Sequence, residues 1–167
     1  NYIITVTDAN NCSVTGAAII NEPADIQITE IITNVSCFTN VNGQAELQIS
    51  GGIIPYFQNW YGADSSNLAP GNYSYQVTDN NNCIKNGSIT ISEPSLLGVE
   101  VEVIDVNCYG ENTGEINLNI TGGTMPYTEY FGSFNPNSLN AGTYLFTITD
   151  NNGCTLDSSA VITQENE

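Results

Sequence analysis

Five cysteines offer the most chemistry in this 167-residue sequence, and their spacing is regular. Cys12, Cys83 and Cys154 follow one another at 71 residues (83 − 12, 154 − 83), and Cys37 and Cys108 keep the same step (108 − 37). Cysteines at a strict period, with no Cys-x-x-Cys pair, point to disulfides in an oxidising, extracellular setting. Metal or catalytic-thiol chemistry has little support, because histidine is absent and Lys85 is the single basic side chain. Three pairings fit the period. The expected one lies within repeats, Cys37 with Cys83 and Cys108 with Cys154, each 46 residues apart (83 − 37, 154 − 108), leaving Cys12 unpaired. A loop of that size constrains the unfolded chain by about 4 kcal/mol, a useful staple for a small core. The alternatives are Cys12–Cys37 with Cys83–Cys108, bridging neighbours and leaving Cys154 free, and Cys37–Cys154 across a junction.

Carboxylates are the second reservoir of chemistry. Eighteen acidic residues face one basic residue, a formal charge of −17. Paired carboxylates can hydrolyse glycosides, but the best-aligned acids, Asp8, Asp79 and Asp150, recur once per period. An active site rarely recurs in every module, whereas a turn-forming Asp does. No catalytic residue is expected, and the chain is not read as an enzyme. Calcium is the alternative use of these groups. Asp79 and Asp150 open oxygen-rich turns, Asp79-Asn80-Asn81-Asn82 and Asp150-Asn151-Asn152, but the spacing completes no Asp-x-Asn-x-Asp-Gly loop. Asx-turns are the favoured reading, with no cofactor and calcium as the competing one.

The same charge excludes partners. A phosphate backbone or an anionic bilayer surface demands a Lys/Arg footprint that is missing. No run of about 18 apolar residues is present to span a membrane. With 40% hydrophobic and 11% charged residues the chain is expected to fold, its acidity serving solubility. Asn1-Tyr2-Ile3-Ile4 has no basic n-region or apolar h-region, so the sequence reads as part of a longer protein.

The residues between the cysteines must position them, and they too keep the 71-residue step. Gly51-Gly52 returns as Gly122-Gly123, Pro55-Tyr56 as Pro126-Tyr127, and Gly71-Asn72-Tyr73 as Gly142-Thr143-Tyr144. Val6-Thr7-Asp8, Val77-Thr78-Asp79 and Ile148-Thr149-Asp150 form a triple set. A gapless internal repeat decides the architecture. Residues 1–23 read as the C-terminal part of one repeat, 24–94 as a complete repeat and 95–167 as another, with Glu22-Pro23 and Glu93-Pro94 as linkers.

Within a repeat the hydrophobic pattern has period two. Ala45, Leu47 and Ile49 alternate with Glu46, Gln48 and Ser50, and Tyr73, Tyr75 and Val77 with Ser74, Gln76 and Thr78. That is the signature of half-buried strands, and turn residues punctuate them densely. Six or seven short strands per repeat are expected. The fold class is all-β: tandem immunoglobulin-like antiparallel β-sandwiches in an elongated array. Leu68-Ala69-Pro70-Gly71-Asn72-Tyr73 and its counterpart ending in Tyr144 resemble a tyrosine corner, in which the hydroxyl bonds upstream backbone. Gly71, Gly142, Pro55, Pro126 and Trp60 are accordingly structural, with Trp60 and Phe131 assigned to the inner face of the third strand. Tyr61 and Tyr130 do not recur at aligned positions and are the candidates for a sugar-stacking platform.

Taken together, Cys37 to Gly43, the alternating strand Gln44–Ser50, Gly51 to Tyr56, Gly71 to Cys83 and Glu93-Pro94 form a pattern that resembles the SprB-type repeat of the gliding-motility adhesins of Bacteroidetes. The second repeat keeps it, with Phe131 in place of Trp60; in the first, Asn82 stands where the pattern has Gly. The resemblance covers nearly the whole chain. It implies a very large cell-surface adhesin exported by type IX secretion, outer-membrane-associated, and moved by an envelope motor. No catalytic residues come with it. The partners it implies are adjacent repeats of the same chain and a polysaccharide or other external surface, with no nucleic acid and no membrane insertion. A contrasting reading is a carbohydrate-binding accessory region of a secreted or surface enzyme.

Overall fold

The structure is a computed structural model and describes residues 1–166. Twelve strands and no helices are present among them. The chain opens with β1 (Tyr2–Thr7) and β2 (Ser13–Ala18), an isolated antiparallel hairpin. Five strands follow: β3 (Gln27–Thr33), β4 (Gln44–Ser50), β5 (Phe57–Asn59), β6 (Gly71–Thr78) and β7 (Ile84–Ile91). The next five, β8 (Gly98–Ile104), β9 (Glu115–Thr121), β10 (Thr128–Tyr130), β11 (Gly142–Thr149) and β12 (Thr155–Ile162), begin and end 71 residues later. In each set a two-stranded sheet (β3–β4, β8–β9) faces a three-stranded one (β5–β6–β7, β10–β11–β12), every pairing antiparallel. This is a small β-sandwich with five strands, not the six or seven expected. The segments 34–43 and 60–70 are irregular because Asn, Ser, Asp, Gly and Pro there satisfy local turns instead of a ladder.

Alternation along the strands places the core. In the first sandwich Leu47, Leu68, Tyr75, Val77, Ile89 and Ile91 are buried together, and in the second Ile116, Leu139, Phe146, Ile148, Ala160 and Ile162. The cores are separate clusters, so each five-strand unit closes on its own. Trp60 and Phe131 lie one residue beyond β5 and β10 rather than within a strand. Trp60 packs on Tyr75 with ring centroids 5.2 Å apart, and Phe131 packs on Phe146 at 5.9 Å. Tyr73 donates its hydroxyl to the Ala69 carbonyl and Tyr144 to that of Asn140, both at 2.9 Å. The Ile54–Pro55 and Met125–Pro126 peptide bonds are cis, and Tyr127 beside the latter donates to the Gly122 carbonyl at 2.6 Å. Tyr75 lies across Gly87 on the neighbouring strand and donates to Glu30 at 2.6 Å; burial, then that carboxylate, pushes its phenol up to about 12.

The opening hairpin aligns with β6–β7 but lies in a different environment. Ile4, Val6 and Ile20 stand where Tyr75, Val77 and Ile91 are buried, yet they are 56%, 62% and 72% exposed. Two strands without a covering sheet are marginal in water. Amide exchange in β1–β2 is therefore expected on the order of 100-fold or more faster than in the matching hairpin β6–β7. Equal protection, measured by mass spectrometry, would show that the hairpin is covered in solution.

Candidate functional site

The strands give each sandwich two ends. The chain enters where Ala24 accepts from the Gly52 N–H at 2.6 Å and Asn80 donates to the Ile53 carbonyl at 2.9 Å. It leaves at the opposite end, where the Val35 N–H reaches the Ser92 carbonyl at 3.2 Å. Cys83 closes the β6–β7 turn at the first end, and Cys37 sits in the β3–β4 loop at the second. The eight residues of β7 separate them, roughly 25 Å at the rise of a strand. A disulfide needs Cα atoms within about 7 Å. The pairings Cys37–Cys83 and Cys108–Cys154 are thus incompatible with the fold.

The bond that forms is Cys37–Cys154, with Cα atoms 5.7 Å apart and 117 residues enclosed. It joins the exit end of the first sandwich to the entrance end of the second. Cys12, Cys83 and Cys108 are free thiols, all exposed. Cys12 is unpaired, while Cys83 and Cys108, expected in disulfides, are not in one here. Alternation tells which face of a strand a residue takes, but not which end of a sandwich its loop reaches.

Around the bond the two ends fit closely. The Asn152 side-chain amide donates to the Ser36 carbonyl at 3.0 Å and to the Thr124 hydroxyl at 3.1 Å. The Cys37 loop borders a cleft lined by Phe38, Pro94, Leu96, Leu97, Gly153 and Leu156. Glu93 holds that loop in place: its carboxylate accepts from the Thr39 N–H at 2.8 Å, and Gln164 accepts from Gly110 at 3.1 Å in the aligned position. Sequence reasoning took Glu93 for part of a linker. No sequence signal marks it, because its partner is the backbone N–H of Thr39 (φ 62°), brought to it by the fold.

Asp79 and Asp150 stand beneath the half-site cysteines and lock the turns that carry them. Asp150 Oδ1 accepts from the Asn152 and Cys154 N–H groups and Oδ2 from Thr124 N–H, all at 2.9 Å. Asp79 accepts from Ile53 at 2.9 Å, Asn81 at 2.9 Å and Cys83 at 2.8 Å. Asp8 does the same for Asn10 and Cys12. Asn82 and Asn11 adopt φ of 63° and 65° in these turns, which explains Asn at the position of Gly153. In Asp79 and Asp150 both carboxylate oxygens accept backbone N–H groups, the Asx-turn role. No group of three or more ligand-type side chains is placed to hold a metal among the described residues.

Burial pushes the Asp79 and Asp150 carboxyls up, but the backbone N–H groups more than offset it, and both end below the ordinary value. A depressed native pKa contributes stability above the unfolded value, near 4, that is lost as pH falls through the native one. In Asp150→Asn an amide N–H replaces Oδ2 against the Thr124 N–H, so its melting temperature should be lower than that of the parent at pH 7. The gap should close below about pH 4. Taking the difference cancels the relief of charge repulsion shared by both proteins, and a gap independent of pH would refute the assignment.

A family model described as the SprB repeat matches residues 29–65 and again residues 101–128. These two stretches are SprB repeats. The two SprB matches take in the Cys37 and Cys108 loops, the Gly-Gly turns and Pro55 and Pro126. The hairpins bearing Cys83 and Cys154 lie outside both. No curated protein and no solved structure matches the chain. SprB is a structural repeat family, not an enzyme family, and SprB repeats occur in cell-surface proteins. No helix long and apolar enough to cross a membrane occurs among the described residues.

Proposed function

We propose that this chain is a tension-bearing segment of a large cell-surface adhesin of the gliding-motility type, its repeats extending a filament and transmitting pull between an external surface and the cell. The Cys37–Cys154 bond carries this reading. A covalent tie from one module to the next is of no use to a compact binding domain. It does limit what tension can unravel. The acidic surface, charge −17, keeps neighbouring filaments apart. The oxidised junction supports extracellular placement, and outer-membrane association and type IX export are part of the same proposal.

The carbohydrate-binding alternative has weaker support. Tyr61 and Tyr130 are 62% and 67% exposed, but they occupy non-equivalent positions, and Trp60 and Phe131 turn toward the cores. The test combines pulling with a polysaccharide panel. The proposed function expects an oxidised chain that resists extension between Cys37 and Cys154 and binds no polysaccharide on its own. Saturable binding abolished by Tyr61→Ala or Tyr130→Ala would replace it with the alternative.

A further inference from the structure

The cleft at the disulfide has a vacant twin. Nine residues lining the junction cleft, among them Pro94, Leu97, Gly123 and Cys154, have counterparts 71 positions earlier lining a cleft over Cys83, among them Pro23, Ile26 and Gly52. What the twin lacks is the Cys37–Phe38 loop. At the other end of the chain, Cys108–Tyr109 is that loop's counterpart, held by Gln164 as the Cys37 loop is by Glu93. Cys108 is a free thiol and Tyr109 is 56% exposed.

We infer that the cleft over Cys83 is a socket for the cysteine-bearing loop of another SprB repeat, that Cys108–Tyr109 is the matching plug, and that plug and socket close with a disulfide. The occupant is argued from the same chain, where an equivalent loop already sits in the equivalent socket and is bonded there. Charge fits as well. Lys85, the single Lys or Arg of the chain, lines this socket, where a second acidic module must approach. Asn81 occupies the place of Asn152, whose amide holds the incoming loop by the carbonyl before its cysteine. The inference rests on the stitched-array reading, not on what the array adheres to. Plug and socket on opposite ends form a head-to-tail contact, which propagates rather than closes.

Bond formation needs an oxidant, and a small-molecule disulfide such as oxidised glutathione serves. The plug thiolate attacks that disulfide, releasing one glutathione thiolate. The Cys83 thiolate then attacks the plug sulfur and releases the second. One S–S bond is broken, one is made, and the two thiol protons pass to the two glutathiones.

The test is a chain lengthened by one period, with residues 24–94 inserted a second time after Pro94. The exposed substitutions Val41→Ile and Ser88→Thr mark the inserted copy, and the chain is oxidised in a glutathione buffer, alkylated and mapped without reduction. Two bonds are expected: Cys37 of the original copy to Cys83 of the inserted copy, and Cys37 of the inserted copy to Cys154. If the second forms while Cys83 of the inserted copy stays alkylated, the socket is overturned and the stitched array stands. If neither forms, or cysteines of one copy pair together, the stitched array fails too. The unaltered chain supplies a second measurement. A peptide of residues 105–113, with Cys108 as its glutathione mixed disulfide, should exchange with Cys83 at least tenfold faster than with Cys12, whose hairpin has no socket. Equal rates would overturn the docking.

Discussion

Reducing the Cys37–Cys154 bond lengthens the chain under tension by about 40 nm. The bond encloses 117 residues, and a stretched residue spans about 3.3–3.6 Å. With the bond in place, a pull applied at the two termini passes from Cys37 to Cys154 through sulfur. Only residues 1–36 and 155–167 can then be drawn out, which removes the bare hairpin, β3 and β12, and leaves β4 to β11 shielded. Both cores lose an edge of their sandwich, yet neither can be extended. With the bond cut, β4 to β11 unravel as well. Single-molecule pulling of the oxidised and reduced chains reads this difference directly, and Cys154→Ser should behave like the reduced parent under both conditions. Equal released lengths would mean that no covalent path bypasses the modules.

The consequence for an array depends on how the bonds overlap. The stitch skips from the plug loop of one repeat to the hairpin of the next, and the next plug follows that hairpin by 25 residues (37 − 12, 108 − 83). If each junction is bonded as Cys37–Cys154 is, the shortest covalent route runs through those 25-residue segments, which contain the Glu-Pro boundary and the two strands flanking it, β2 and β3 or β7 and β8. Each such segment stretches to roughly 85 Å at most. Bonds confined within repeats would leave every linker and every sandwich edge in series with the load. The stitched arrangement places the last strand of one module and the first strand of the next on the stressed route, and each is paired along its whole length, β7 with β6 from Thr78↔Ile84 to Gly71↔Ile91 and β3 with β4 from Gln27↔Ser50 to Thr33↔Gln44.

What could be read from the sequence was local. Period-two alternation in Gln44–Ser50 and Gly71–Thr78 marked β4 and β6 and the inward positions of Leu47 and Val77, because a pleated strand forces that choice of face. Tyr73 and the Oδ1 side of Asp79 were legible as turn devices, since those partners lie within four residues, whereas the Asp79 bond to Ile53, 26 residues away, was not. The cysteine pairing was not legible at that level. It depends on which end of a sandwich each loop reaches, a property of strand direction summed over the module, and then on how one module meets another. Glu93 was missed for a related reason: its partner, Thr39, is 54 residues away and is a backbone N–H, which has no sequence signature.

Gly122→Ala is expected to destabilise the second sandwich by more than about 3 kcal/mol. Gly122 has φ of 69°, where a side chain costs about 1–2 kcal/mol, and the added Cβ would be driven into the Leu96 carbonyl. That carbonyl cannot retreat cheaply: the neighbouring Ser95 carbonyl accepts from the Gly123 N–H at 2.8 Å, and Leu97 beside it is buried in the core. Gly110→Ala separates the two costs. Gly110 has φ of 78° but open space around its Cβ position, so only the conformational penalty applies, about 1–2 kcal/mol. Denaturant unfolding of both variants gives the difference, and equal losses would show that the turn tolerates the clash. The damage should also reach the junction, because Leu96 and Leu97 line the cleft that receives the Cys37 loop. Displacing them moves the socket away from its plug, so Gly122→Ala should oxidise to the Cys37–Cys154 form in lower yield while Gly110→Ala, on the far end of the same sandwich, oxidises as the parent does.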